Sequence, residues 1–254
     1  MTKTNYSFPG LKGKHALVTG AASGIGRAAA ILLSAQGVHV TIGDINEDGL
    51  KETAGLMQGP GTICPFDALD SASSEALVAK AAENGLDIVF NITGLLDWGV
   101  TTDFDPARFL RVLQINLVST YTISRAAYPH LEKTQGAIVN TASTAAHVGI
   151  PYSAAYTASK HGVAGLTKSL AVEWAPKNVR VNAICPGHVD TPMGNQQPPP
   201  GDIDWEKVMR NIPKLPDGTL SPDEIAVHMA WMVSDACKRM TGSLITLDAG
   251  QVAG

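Results

Sequence analysis

The stretch Thr19-Gly20-Ala21-Ala22-Ser23-Gly24-Ile25-Gly26-Arg27 decides how the rest of the chain reads. It follows a short β-branched run at 15–19 and opens an alanine-rich run, 26–36, with helical character. Glycines there permit a tight strand-to-helix turn, in which main-chain N–H groups approach a pyrophosphate held against the positive end of the helix dipole. The spacing is GxxxGxG rather than the commoner GxGxxG. Glycine clusters mark turns everywhere. The strand before this one and the helix after it give it weight.

Outward from that turn, short apolar runs at 38–43, 62–66, 87–92, 137–141, 179–184 and 243–247 alternate with helical patterns. The helical patterns lie at 47–57, 73–83, 106–131, 154–175 and 222–234. Strands apolar on both faces and alternating with helices predict a parallel sheet covered on both sides. Right-handed crossovers make it doubly wound, with about seven strands in one domain spanning 1–254. The segment 190–222 holds seven of the fifteen prolines, Pro198-Pro199-Pro200 among them, and reads as an irregular substrate lid. The run 106–131 carries apolar residues all round, which predicts a helix buried on both sides, one against the sheet and one against a second subunit.

Composition narrows the function. With 254 residues, 44% apolar and 17% charged, the chain can fold without disulfide or metal. A net charge of −4 argues against nucleic acid. Three scattered cysteines fit a reducing compartment, and no apolar run approaches a membrane span. The expectation is a cytoplasmic protein with no membrane or metal partner.

Asp44 ends the second strand, about twenty residues beyond the glycines. A carboxylate there accepts both adenosine ribose hydroxyls and repels a 2′-phosphate, which favours NAD over NADP. Asn46 is the more natural cap for the helix that follows. Tyr156 and Lys160 are four apart and share one helix face, where the ammonium is expected to draw the phenol's pKa down toward a general base's range. Ser143 ends the fifth strand at the ligand-binding edge of a parallel sheet.

Taken together, the glycine loop, Asp44, Asp67, Asn116, Ser143, Tyr156, Lys160, the Cys185-Pro186-Gly187 turn and Asp248-Ala249-Gly250 resemble the short-chain dehydrogenase/reductase family along essentially the whole chain. The resemblance implies a Rossmann-type fold and roles for these residues. Tyr156 would be the acid/base, and Ser143 would orient the substrate oxygen. Lys160 would hold the nicotinamide ribose, and Asn116 a water linking Lys160 to solvent. Gly20, Ser23, Gly24, Ile25 and Gly26 would line the pyrophosphate. Ile45, Asp67 and Ala68 would meet the adenosine, with Asn91 and Gly94 beneath its ribose. Pro186, Val189 and Thr191 would reach the nicotinamide. One departure stands out: the family's Asn-Asn-Ala-Gly is Asn91-Ile92-Thr93-Gly94 here, which predicts altered cofactor affinity.

The resulting expectation is an NAD-dependent oxidoreductase that interconverts a secondary alcohol and its ketone. Leu95, Val148 and Met193, with Leu96, Trp98, Ile150, Pro151, Trp205, Met209 and Ile212, would line the substrate pocket. Such a lining suits a neutral alicyclic, aromatic or steroid-like molecule. The family implies a homotetramer. Alternatives are an acyl-thioester ketoreductase and a catalytically silent NAD sensor.

Overall fold

The computed structural model describes residues 6–59, 61–195 and 201–253. Seven strands form one parallel sheet: β1 (His15–Thr19), β2 (His39–Gly43), β3 (Gly61–Ile63), β4 (Ile88–Asn91), β5 (Ala137–Thr141), β6 (Arg180–Pro186) and β7 (Leu244–Leu247). Their order is β3-β2-β1-β4-β5-β6-β7. The winding reverses between β1 and β4, which places a binding crevice at the carboxyl ends of those strands.

Successive strand residues serve opposite faces, as the pleat demands. Ala16 and Val18 pack into one buried layer beneath α1 (Gly24–Ala35) and α8 (Pro222–Val233). Leu17 faces the other, with α3 (Ser71–Ala81), α5 (Ser119–Thr134) and α6 (Ala154–Trp174). The same alternation holds for Ile88 and Phe90 against Val89. α2 (Glu47–Leu56) joins the first layer through Leu50 and starts at Asn46, whose side chain accepts the Gly49 N–H at 3.0 Å. The doubly wound sheet expected from the sequence is present, with all seven strands in their expected places.

Three details differ. The third strand stops at Ile63, although the Cys64 and Phe66 N–H groups still bond to Ile42 and Asp44 carbonyls beyond it. The segment expected to form a lid contains a short helix, α7 (Trp205–Met209), capped by Asp204, which the prolines around it concealed; the triple proline lies outside the described residues. The run at 106–131 is two helices, α4 (Pro106–Leu113) and α5, joined by a widened π turn at Gln114–Val118. Buried residues descend one side: Val112, Asn116, Thr120, Ile123, Ala127 and Leu131. Val112 and Leu131 are 19 positions apart, whereas five α-helical turns take about 18. The π turn absorbs the extra residue. Read on a straight helix, the stripe smears round the axis; in the fold it is continuous, with the polar Ser119, Thr122 and Ser124 buried as well and Leu110, Val118 and Tyr121 exposed.

Candidate active site

The glycine turn is shaped by contact as much as by conformation. Gly20 lies at φ +67°, and a Cβ there would come within 2.9 Å of the Thr93 nitrogen. A Cβ on Gly26 would fall 2.1 Å from the Gly20 carbonyl oxygen, so no side chain fits. Ser23 occupies the N-cap of α1 in extended conformation yet makes no capping bond, and the first turn holds no acidic residue. The amides of that turn have no carbonyl one turn back to bond. Free amides, a free hydroxyl and an absence of negative charge fit an anionic pyrophosphate.

Asp44 sits at the end of β2, half-buried. Its carboxylate accepts the Ala22 N–H at 3.1 Å and the Asn46 N–H at 3.0 Å, so it braces the loop it was expected to serve. Two further braces escaped sequence reading. Buried Thr53 donates to the Ala21 carbonyl at 2.8 Å, and Arg27 donates to the Ala22 carbonyl while paired with Glu52. That pairing leaves the Arg27 guanidinium already engaged by a carboxylate. Ile45 is 70% exposed beside Asp44. Asp67 accepts the Leu69 N–H at 2.8 Å, and Ala68 is buried next to it.

Beneath the crevice, Thr19 Oγ1 accepts the Ile92 and Thr93 N–H groups at 2.9 and 3.2 Å. The turn after β4 is thus held through its main chain, and the departure at Ile92 leaves that hold intact. Asn91, expected beneath the adenosine ribose, has its side chain turned into the core. Its amide is buried, donating to Ser124 and to Asn140 at 2.9 Å, and so ties β4 to β5 and α5. Any contact of Asn91 with a cofactor runs through its backbone. Val189 is likewise buried and packed in the core, leaving only main-chain atoms to offer a ligand. Thr191 reaches back over the glycine turn, its methyl 2.9 Å from where a Gly24 Cβ would stand. Pro186 ends β6, buried.

Ser143, Tyr156 and Lys160 converge where β5 meets α6. Lys160 is 3% exposed, and its Nζ donates to the Thr141 carbonyl at 2.8 Å. Burial brings its pKa down to about 8. The ammonium lies 5.5 Å from the centroid of the Tyr156 ring. Burial pushes the Tyr156 phenol up, and a hydrogen bond to the Ser143 hydroxyl draws it partway back. The sequence reading expected Lys160 to lower this phenol; in the fold desolvation outweighs it, and the Ser143 bond is the lowering contribution. Next to them the buried Cys185 thiol is pushed up to about 11, chiefly by burial.

Asn116 stands on the π turn, turned inward by it. Its amide nitrogen donates to the Leu95 carbonyl and to Ser159 Oγ, both at 3.0 Å, and its oxygen accepts the Leu95 N–H at 2.7 Å. All its amide groups are engaged with the protein, so the side chain staples the loop after β4 to α6. A Cβ placed on Gly94 would stand 3.5 Å from Asn116 Oδ1, 3.7 Å from Lys160 Nζ and 3.7 Å from Met193 Cε. The glycine therefore keeps open a space bordered by the amide, the ammonium and the lid. Leu95 and Val148 are half-buried on neighbouring loops. Among the described residues, no group of three metal-ligating side chains occurs, and no helix is long and apolar enough to cross a membrane.

Comparison with known proteins follows this geometry. A family model described as enoyl-(acyl carrier protein) reductase matches residues 20–251. The chain is 36% identical to the 2,5-dichloro-2,5-cyclohexadiene-1,4-diol dehydrogenase of Sphingobium indicum, over 96% of this chain and 98% of that one. It is also 36% identical to the cis-4-hydroxycyclohexanecarboxylate dehydrogenase of Sinomonas cyclohexanicum, over 94% and 96%. Among solved structures, a short chain dehydrogenase from Mycobacterium paratuberculosis bound to NAD superposes with a TM-score of 0.89 at 29% identity, covering 96% of this chain and 99% of that one.

Proposed function

The chain belongs to the short-chain dehydrogenase/reductase family, and from that premise we propose that it oxidises a neutral, ring-sized secondary alcohol to its ketone with NAD, and catalyses the reverse. NAD, when bound, supplies a hydride acceptor at the nicotinamide. The chain's own residues handle the proton and the geometry. Tyr156 takes the hydroxyl proton of the alcohol, and the Ser143 hydroxyl holds the same oxygen. Lys160, anchored on the Thr141 carbonyl beside the Tyr156 ring, would hold the nicotinamide ribose hydroxyls. Asn116 acts by fixing the loop at Leu95 rather than through a free amide. Asp44 selects the unphosphorylated ribose, and Arg27, paired with Glu52, offers little charge to a 2′-phosphate.

The substrate class rests on one observation: the segments above the sheet present apolar surface. Trp205, Met209 and Ile212 of the lid are exposed, and Leu95, Val148 and Met193 are half-buried beside the space over Gly94. A ring buries apolar area there at about 25 cal/mol per Å². A polyol would leave hydroxyls unpaired, at about 1–3 kcal/mol each. The named substrates of the two curated relatives, one a diol and one a hydroxy acid, are both alicyclic and support the ring-sized part of this reading. The segment 190–222 serves as the lid.

The exposed stripe of Leu110, Val118 and Tyr121, together with Val172 on α6, supports subunit contact and a homotetramer. Three free cysteines support a reducing, cytoplasmic setting. Ranking kcat/KM across alcohols of matched size and rising polarity tests the substrate class, and a preference for polyols or hydroxy acids would overturn it. Light scattering checks the assembly: a mass near 26.6 kDa at micromolar concentration refutes the tetramer.

A further inference from the structure

Tyr152 adopts φ +61°, a left-handed conformation that a bulky side chain rarely takes and that persists only where the surroundings hold it. Three segments meet at this residue. Its carbonyl accepts the Gly99 N–H at 2.8 Å, from the loop after β4. Its phenol oxygen accepts the Asp204 N–H at 2.9 Å, at the start of lid helix α7. It is followed directly by Ser153, the N-cap of α6, and stands one helical turn before Tyr156. A second, longer bond runs parallel, from the Asn211 side chain to the Gly149 carbonyl at 3.4 Å.

We propose that Tyr152 is a positioning and specificity-determining residue for the alcohol, resting on the dehydrogenase reading above. Its hydroxyl hangs α7 over the cleft, and its strained backbone fixes that point relative to the catalytic turn of α6. The lid carries Trp205 and Met209 immediately after the anchored amide, so the height of the anchor sets how closely those side chains cover a substrate. The glycine turn is held by Asp44, Thr53 and Arg27 and does not share this tether. Tyr152 thus governs alcohol affinity apart from cofactor affinity and apart from the chemical step.

Steady-state kinetics on the full chain tests this, using whichever alcohol of the polarity panel the wild type turns over best. A failure of the apolar-substrate reading changes that choice of alcohol and leaves the Tyr152 readout intact. Tyr152→Phe keeps the ring and removes only the oxygen that accepts the Asp204 N–H. It is expected to raise KM for the alcohol about five- to tenfold, with kcat and KM for NAD within about twofold. Asp204→Pro deletes the same bond from the other side, at a φ of −74° that proline adopts readily. It gives the reading if Tyr152→Phe does not fold. Asp204→Pro also removes the Asp204 side-chain cap on α7, so it should raise alcohol KM at least as much as Tyr152→Phe. Asp204→Asn, which keeps both the N–H and the cap, should match wild type. An unchanged alcohol KM in Tyr152→Phe, or an equal rise in KM for NAD, would overturn the proposal.

Discussion

The glycine turn and the segment 190–222, proposed above as the lid, are built on opposite plans. In the turn, four consecutive partners fix two residues: Ala21 bonds to Gly43 and Thr53, and Ala22 to Asp44 and Arg27. Packing leaves no room at Gly26 even for a methyl group. The lid is joined to the body at a few points. Leu220 pairs with His188 and Asp190, the Lys214 and Leu215 amides share the Ala249 carbonyl, and Asp204 hangs from Tyr152. Its apolar side chains stay largely in solvent. A ligand common to every turnover is met by a site made rigid in advance, whereas the variable ligand is met by a cover with few restraints.

The sharpest way to separate the two halves is chemical. Tyr156→Phe should lower kcat by about 10³-fold, since general acid–base groups contribute about 10²–10⁴. NADH affinity, followed by fluorescence titration, should stay within a few-fold, because the phenol acts on the proton and not on the cofactor's phosphates. A variant retaining a tenth of the wild-type rate would remove Tyr156 from the role.

Asp44→Ala attacks the rigid half. It removes the ribose acceptor and releases the Ala22 N–H together, so kcat/KM for NAD should fall about 10- to 100-fold, the worth of one or two hydrogen bonds to a charge. NADP should suffer less, and equal use of the two cofactors by the wild type would contradict the assignment. The phenol supplies a third test. Burial holds its pKa above the usual value, so only a small fraction is phenolate at neutral pH. Alcohol oxidation should therefore rise about tenfold per pH unit on the alkaline side of neutrality. Ser143→Ala, which removes the lowering bond, should push that limb further alkaline; a flat profile would show that another group titrates. The mildest effect belongs to the loose half. Met209→Ala should raise alcohol KM about three- to tenfold by losing roughly 1 kcal/mol of apolar cover, with KM for NAD unmoved.

The same division explains what was legible in the sequence. The glycine turn, Asp44 and Asn46 could be read because each role is local: a residue type, a strand end, a helix start. Tyr156 and Lys160 could be paired because helical periodicity puts them on one face. Asn116 was found as a position, but its bonds to Leu95 and Ser159 could not be read, since those partners lie 21 and 43 residues away. The π turn hid for a related reason, as one extra residue in a helix changes no composition and only shifts the phase. The direction of the Tyr156 shift was missed because desolvation belongs to the packed interior, whereas the spacing reveals only a charge nearby. Tyr152 carried no signal at all; its backbone strain and its bond to Asp204 exist only once three loops have been brought together.

The buried Lys160 also gives the folded chain an unusual response to alkali. Its pKa is about 8 when folded and 10.5 in the open chain, so between those values the unfolded state binds more protons and folding strengthens as pH rises. Cys185 works the other way. Held at about 11 against 9, it weakens folding between those two values. The two trends overlap above pH 9, which leaves the interval from 8 to 9 as the one in which Lys160 acts unopposed by this thiol. Titrating the melting temperature of Lys160→Met against wild type would isolate the contribution: the gap between them should narrow as pH climbs through that interval. An enzyme whose proton-handling site costs the fold least in mild alkali is best matched to the conditions that also favour oxidation by a phenolate.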